Sequence, residues 1–291
     1  MAVLVRGLLS GSSFWRQVGD DVLYWYGVRE TLNDGTAWQR LRSGGVPILL
    51  YHRVVPSADR RDPKYALPLA RFNAQMRLLV RLGYKSMRLG ELLQVHRAGE
   101  LPPPKRVVIT FDDGYEDNLV AIRSMRRYGF GGAIFLVTGD VGGCARWRYG
   151  ELGRVPLLSW DHVRRLASDD IEFGAHSVTH PNLAELPMPA ARREIEGAHQ
   201  ALRRALGEAT YCFAYPHGIA TDETKWLVSQ AGYAAAFGTT RGLSTMHDDP
   251  LYLRRIQVYG DERLLIFWLR LWLGDSPFDY LPWGRLGRWR Q

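Results

Sequence analysis

VVITFDDGY, residues 107–115, passes from an apolar run straight into two adjacent carboxylates and a glycine. Val107, Val108, Ile109 and Phe111 leave no polar face, which is the pattern of a strand buried on both sides in a parallel sheet. Asp112 and Asp113 therefore stand at a strand end. In folds of parallel strands the chemistry gathers at the carboxyl ends, where loops line a mouth over a packed interior. Gly114 permits a sharp backbone path that aims both acids into one cavity. Taken alone, the stretch reads equally as an ordinary Asp-Gly turn. Two carboxylates facing one cavity repel unless a cation or a shared proton holds them. A metal resolves this, with one acid as ligand and the other as base.

That reading requires nitrogen ligands at the end of a later strand. IEFGA, residues 171–175, reads as a short strand and runs into His176, Ser177, Val178, Thr179, His180 and Pro181. On a helix two histidines four apart would share a face. Gly174, Ser177, Thr179 and Pro181 argue instead for a loop, with Pro181 biasing His180 to an extended backbone. Asp113, His176 and His180 then make a ligand set of two imidazoles and one carboxylate, leaving an open position on zinc or a similar ion.

TFDDG at 110–114 followed by HSVTH at 176–180 resembles the first two motifs of the polysaccharide deacetylases, also called the NodB-homology or carbohydrate esterase 4 family. The resemblance spans residues 46–260. It implies an α/β fold, a distorted (β/α) barrel. It also implies a metal-dependent hydrolase that removes an N-acetyl or formyl group from an amino sugar in a polysaccharide, oligosaccharide or lipid-linked glycan. Carried over, Asp112 is the catalytic base, and Asp113, His176 and His180 hold a divalent metal, expected to be Zn2+.

YCFAYPHG, residues 211–218, reads as a strand ending in a Pro-His-Gly turn. It resembles the family's third motif, which supplies a backbone N–H for the oxyanion and an arginine beside the base. Ala214 stands where that arginine is expected. The stretch is nearer to a subgroup with FAYPYG, with His217 in place of the second tyrosine. A backbone donor near His217 still serves an oxyanion, because it does not depend on the side chain. Tyr215 and Pro216 are expected on the substrate side.

Arg255, in YLRRIQVY at 252–259, is the candidate to replace the missing arginine, by likeness to the LPRI segment of the same subgroup; the other reading is a surface charge. The family's fifth motif carries a histidine acting as general acid, and none lies near this strand. His52, at the end of the strand PILLYHRV (47–54), His217, and His247 in the loop TMHDDP remain as candidates. His52 reads equally as a histidine satisfied by backbone beneath a loop. Between the motifs, strand and helix alternate, with amphipathic helices expected at 70–83, 89–97, 115–128, 187–206 and 221–231.

The remaining chain bounds these readings. With 291 residues and 46% hydrophobic content, one large domain is expected at 46–260, with an extension at 1–45 and a C-terminal helix and tail at 261–291. Cys144 and Cys212 lie far apart without CxxC spacing, which leaves neither a disulfide framework nor a thiolate zinc site and points to a reducing compartment. Arg6 and Arg16 interrupt the apolar N-terminus, so neither a cleaved signal nor a membrane span is expected, and the expected location is the cytoplasm or the inner face of the membrane. The net charge of +8 suits an anionic membrane surface better than nucleic acid, because seven of the ten tryptophans fall in the first 40 or last 31 residues. LLIFWLRLWL at 264–273 reads either as an interfacial segment or as a helix buried on the barrel's flank. Trp147 and Tyr149, in a loop at 139–156, are candidate sugar-stacking platforms. No G-x-S-x-G elbow, phosphate cradle or dinucleotide fingerprint occurs. A metal phosphodiesterase, or a catalytically impaired barrel that binds carbohydrate or acts as a scaffold, are the alternatives.

Overall fold

The computed structural model describes residues 45–274 apart from 149, 168, 169, 208 and 209. Both terminal extensions, with Trp15, Trp25, Trp38, Trp283 and Trp289, and also Tyr149, lie outside the described residues. In chain order the elements are β1 (Ile48–Tyr51), β2 (Arg53–Val55), β3 (Ala66–Pro68), α1 (Leu69–Arg81), β4 (Lys85–Ser86), α2 (Leu89–Ala98), β5 (Arg106–Phe111), α3 (Asn118–Arg127), β6 (Gly132–Leu136), α4 (Trp160–Leu166), β7 (Ile171–Ala175), α5 (Met188–Leu206), β8 (Cys212–Ala214), α6 (Asp222–Gln230), β9 (Ala235–Arg241), β10 (Leu253–Gln257) and α7 (Leu264–Leu273).

Seven strands run parallel in the order β1-β10-β9-β8-β7-β6-β5, and β5 returns to β1 to close the barrel. β4 pairs with the start of β5, leaving the rest of that strand to β1. Side chains alternate strictly across this closed sheet. Ile48, Val108, Ala133, Phe135, Cys212, Ala214, Ala235, Phe237 and Leu253 fill the inside. Their neighbours Leu49, Val107, Ile109, Ile134, Phe213, Ala236 and Ile256 face the helical layer. Each fully buried aliphatic or phenyl side chain contributes about 1.5–3 kcal/mol. This two-sided burial is why β5 and β6 read as continuous apolar runs.

The amino end of the barrel is shut by α2, whose Leu89, Leu92 and Leu93 join the interior cluster with Met87. His247 lies at this closed end: neighbouring Ser244 bridges to Val46 ahead of β1, and His96 of α2 bonds the Asp248 carbonyl at 2.9 Å. It is therefore remote from the carboxyl mouth and is removed from the candidates for general acid. The expected strand at 47–54 is broken at His52, with β2 turning away to pair with β3.

Helix α7 packs Phe267 and Leu271 into the core. Arg270, also buried, donates to the Gln257 carbonyl at 2.7 Å and pairs with Glu262. On the other side Leu264 and Leu265 remain 42% and 41% exposed. The reading of this stretch as a helix packed on the barrel's flank is met by Phe267 and Leu271. Among the described residues no helix is long and apolar enough to cross a membrane.

Candidate metal centre

Alternation along β5 places Val108 and Thr110 inside the barrel, and the next inward position is Asp112, at the carboxyl mouth. Arg255 reaches it from β10, with Nη1 to Oδ1 and Nη2 to Oδ2 both 2.7 Å. Its Nε donates to the Gly238 carbonyl at 2.9 Å. The guanidinium is fully buried, with Cζ 5.8 Å from the Phe135 ring centroid and 5.9 Å from that of Phe237. A surface charge is thus excluded for Arg255. Burial raises the Asp112 carboxyl, but the charge and hydrogen bonds of Arg255, together with the neighbouring His176 and His52, outweigh it and hold the group below its ordinary value.

Strict alternation would turn Asp113 outward. Instead Asp113 and Gly114 take left-handed backbone, φ 74° and 75°, which reverses the path at the mouth. Glycine is required at 114, because a Cβ there would sit 2.6 Å from Leu136 Cδ2. Asp113 Oδ1 then lies 3.4 Å from His176 Nε2 and 3.3 Å from His180 Nε2. These buried contacts lack hydrogen-bond geometry, and Oδ1 has no hydrogen-bond partner. Ligand atoms 2.0–2.2 Å from a tetrahedral ion stand roughly 3.3–3.6 Å apart. The spacing therefore fits three ligands around one small divalent ion.

The histidine tautomer fits as well. His176 Nδ1–H donates to the Ala214 carbonyl at 2.7 Å, which leaves the Nε2 lone pair facing Asp113. Burial would raise the Asp113 carboxyl, yet the two adjacent imidazoles hold it well below the usual carboxylate range. Among the described residues this is the group of three whose ligand atoms lie within 4.8 Å of one another. The backbone at His180 departs from the extended form expected ahead of Pro181, with φ 63°. The loop overrides the local bias, since Ser177 Oγ accepts the His180 N–H at 2.9 Å.

Around this centre stand the other expected residues. His52, next inward after Ile48 and Leu50, feels the charges of Asp113 and Asp112, and its Nδ1 is buried without a partner. Burial lowers its pKa, so it rests neutral. The His180 ring lies between Trp147, stacked at 5.0 Å, and His217, edge-on at 4.7 Å. His217 is exposed at the rim with φ 60°. Tyr215 requires correction: it is buried and packs among the outer helices with its hydroxyl donating to the Leu251 carbonyl at 3.0 Å, while Pro216, also buried, leads directly into His217. Alternation from the inward Ala214 turns Tyr215 away from the mouth.

A charge network behind the mouth was not anticipated. Arg53 Nε binds Asp117 at 2.8 Å and its Nη1 reaches Asp59 and Asp62 at 3.4 Å, while Arg148 Nη2 binds Asp62 at 3.0 Å. Arg148 also covers the Tyr65 ring, which packs on His52 at 4.5 Å. Residue types alone make these arginines look like solvated surface; only the pairing of distant loops reveals them.

Residues 100–236 match the family model described as polysaccharide deacetylase. YxkH of Bacillus subtilis, named for the same family, is 25% identical over 233 residues, covering 79% of this chain and 78% of its own. The poly-beta-1,6-N-acetyl-D-glucosamine N-deacetylase of Staphylococcus aureus is 22% identical over 226 residues, 73% of this chain and 75% of that protein. Among solved structures, the deacetylase PplD of Streptococcus pyogenes, in complex with acetate, superposes with a TM-score of 0.69 at 22% identity. That match covers 78% of this chain and 98% of PplD, and supports the barrel fold.

Proposed function

We propose that this chain, whose residues 100–236 match the polysaccharide deacetylase family model, is a metal-dependent hydrolase removing N-acetyl groups from an amino-sugar polymer. The observation that carries this reading is the convergence of Asp113, His176 and His180 beside a second acid held by a buried arginine. A divalent ion bound by those three residues, zinc on the chemistry of the donors, would acidify water and polarise the acetamide carbonyl.

Asp112 accepts the proton of the attacking water in this reading. Arg255 keeps it ionised and fixes its orientation through both oxygens. The leaving amine needs a proton donor, and His52 is the imidazole facing both acids with an unpartnered buried nitrogen. Because it rests neutral, it must take up a proton before giving one, and the proton gained by Asp112 is the nearest source. General acid catalysis of this kind contributes about 100- to 10,000-fold. The backbone N–H of His217 is assigned to the carbonyl oxygen side, and Trp147 to the wall against which the sugar rests.

For substrate, the relative named for poly-beta-1,6-N-acetyl-D-glucosamine supports a polymer of N-acetylglucosamine. The exposed Leu264 and Leu265 support a lipid-linked form of such a sugar as a second reading. The deciding measurement is metal content together with acetate release from N-acetylglucosamine oligomers and lipid-linked sugars. Wild type is expected to hold one divalent ion and release acetate. Asp112→Asn should keep the metal and lose turnover, whereas His180→Ala should lose the metal. A wild type devoid of divalent metal would leave the binding-module alternative standing instead. Binding to anionic vesicles that disappears in Leu264→Glu/Leu265→Glu would favour the lipid-linked form.

A further inference from the structure

The loop that carries both histidine ligands is held in a conformation its own sequence does not favour. Ser177 and His180 both sit in the left-handed region, φ 64° and 63°, without being glycine. Such residues persist only where the surroundings over-determine them. A complete account of the loop's backbone groups shows what does so. Its carbonyls are taken by the end of β6: Thr138 N–H donates to the Ser177 carbonyl at 3.1 Å and Gly139 N–H to that of Val178 at 2.8 Å. Its amides are taken from the opposite side by one carboxylate, Glu194 of α5. Oε2 accepts Val178 N–H at 2.9 Å and Thr179 N–H at 2.8 Å, and Oε1 accepts the Thr179 hydroxyl at 2.8 Å.

Glu194 is itself rigidly placed. Its helix is locked to the barrel by Ala191, Ile195, Ala198 and Leu202, all buried in the core. The helix also approaches the loop so closely that a Cβ on Gly197 would meet Val178 Cγ2 at 2.9 Å. A charged acceptor makes bonds that are shorter and roughly twice as strong as neutral ones, and here three of them fall on the two residues between the left-handed positions.

We infer that Glu194 is a positioning residue of the metal centre: by clamping Val178 and Thr179 it fixes the separation and aim of His176 and His180, and so sets metal affinity. This rests on the metal-centre reading above. Glu194 acts through Val178 and Thr179, the two residues of the loop that its carboxylate holds.

The test is the affinity of the full chain for Zn2+, measured by competition with a chromophoric chelator, alongside thermal unfolding of each metal-free protein. Glu194→Ala is expected to weaken Zn2+ binding by about 10- to 100-fold, the usual effect of losing an outer partner of a ligand. Glu194→Gln, which keeps one carbonyl acceptor, should fall between that variant and wild type. Thr179→Val, losing only the hydroxyl bond, should show a smaller loss. Glu196→Ala, on the same helix but paired with Arg192 at the surface, should match wild type. A purely structural role would lower the unfolding temperature of the metal-free protein and leave the affinity alone. Zn2+ affinity within twofold of wild type in Glu194→Ala would overturn the inference; if that variant does not fold, the same result in Glu194→Gln and Thr179→Val decides it. A wild type that binds no Zn2+ would overturn the metal centre as well, so the two failures are distinguishable.

Discussion

Arg255 and Asp112 show how much a single buried pair carries. The guanidinium meets both carboxylate oxygens at 2.7 Å inside the barrel, with both groups buried. Lysine offers one compact charge in place of this planar fork, so Arg255→Lys is expected to lose at least 100-fold in kcat/KM on an N-acetylglucosamine oligomer. Arg255→Met removes the charge altogether. With burial then opposed only by His176 and His52, the Asp112 carboxyl rises, and the acidic limb of the kcat/KM profile should move to higher pH; stability should fall by about 3–5 kcal/mol, as for a buried charge left unpaired. An acidic limb that stays in place would detach Arg255 from the base. The four residues of the centre were legible because chemistry demands those residue types at strand ends. Arg255 was legible only through likeness to a related segment, since a lone arginine in YLRRIQVY carries no mark of burial. Tyr215 was misplaced for the converse reason: the motif drew it to the mouth, whereas counting inward and outward positions from Ala214 would have turned it away.

The connections between elements hold what the sequence concealed. Asp117, between β5 and α3, binds Arg53, which follows β1, at 2.8 Å, while its second oxygen is buried without a partner. Burial raises its carboxyl to about 6 against the pull of Arg53, with Asp62 adding to the rise. An unfolded aspartate titrates near 3.9. Between about pH 4 and 6 the folded state therefore holds this proton more tightly than the unfolded state, and stability falls as pH rises through that window, by up to about 3 kcal/mol. Asp117→Asn keeps an acceptor for Arg53 and removes the titration. Urea unfolding at pH 4, 5, 6 and 7 should show the wild type losing ground to the variant as pH rises, with the change complete above pH 6. A constant difference would show that Asp117 titrates normally. The strands, by contrast, were readable from their apolar runs, and so were the helices from their 3.6-residue spacing. The break at His52, the left-handed turn at His180 and the cap formed by α2 depend on contacts from other parts of the chain, and no local pattern announces them.

At the scale of the molecule, closure of the barrel is what turns three separated segments into one site. The three candidate metal ligands leave β5 and β7, and the arginine beside the proposed base comes from β10, three strands that do not neighbour one another. Which strand pairs with which, and that seven rather than eight complete the ring, was beyond sequence reading because pairing of this kind is a long-range property. It also has a thermodynamic consequence. An ion held by residues on both β5 and β7 would bind the folded barrel and not the unfolded chain, so its binding free energy adds to the global unfolding transition rather than to the opening of one loop. At free metal 100-fold above Kd, binding to the folded state alone adds about 2.7 kcal/mol. For a domain of this size each kcal/mol moves Tm by about 2–4 °C, so Zn2+ should raise it by about 5–10 °C over the same protein in chelator. Calorimetry should show a single transition that moves as a whole. Asp113→Ala should unfold at one temperature with or without Zn2+, because two imidazoles alone leave the ion without its charged ligand. A wild-type transition that splits, with only a minor part responding to metal, would mean that the His176–His180 loop opens independently of the barrel, and the coupling of site to fold argued from strand order would be wrong.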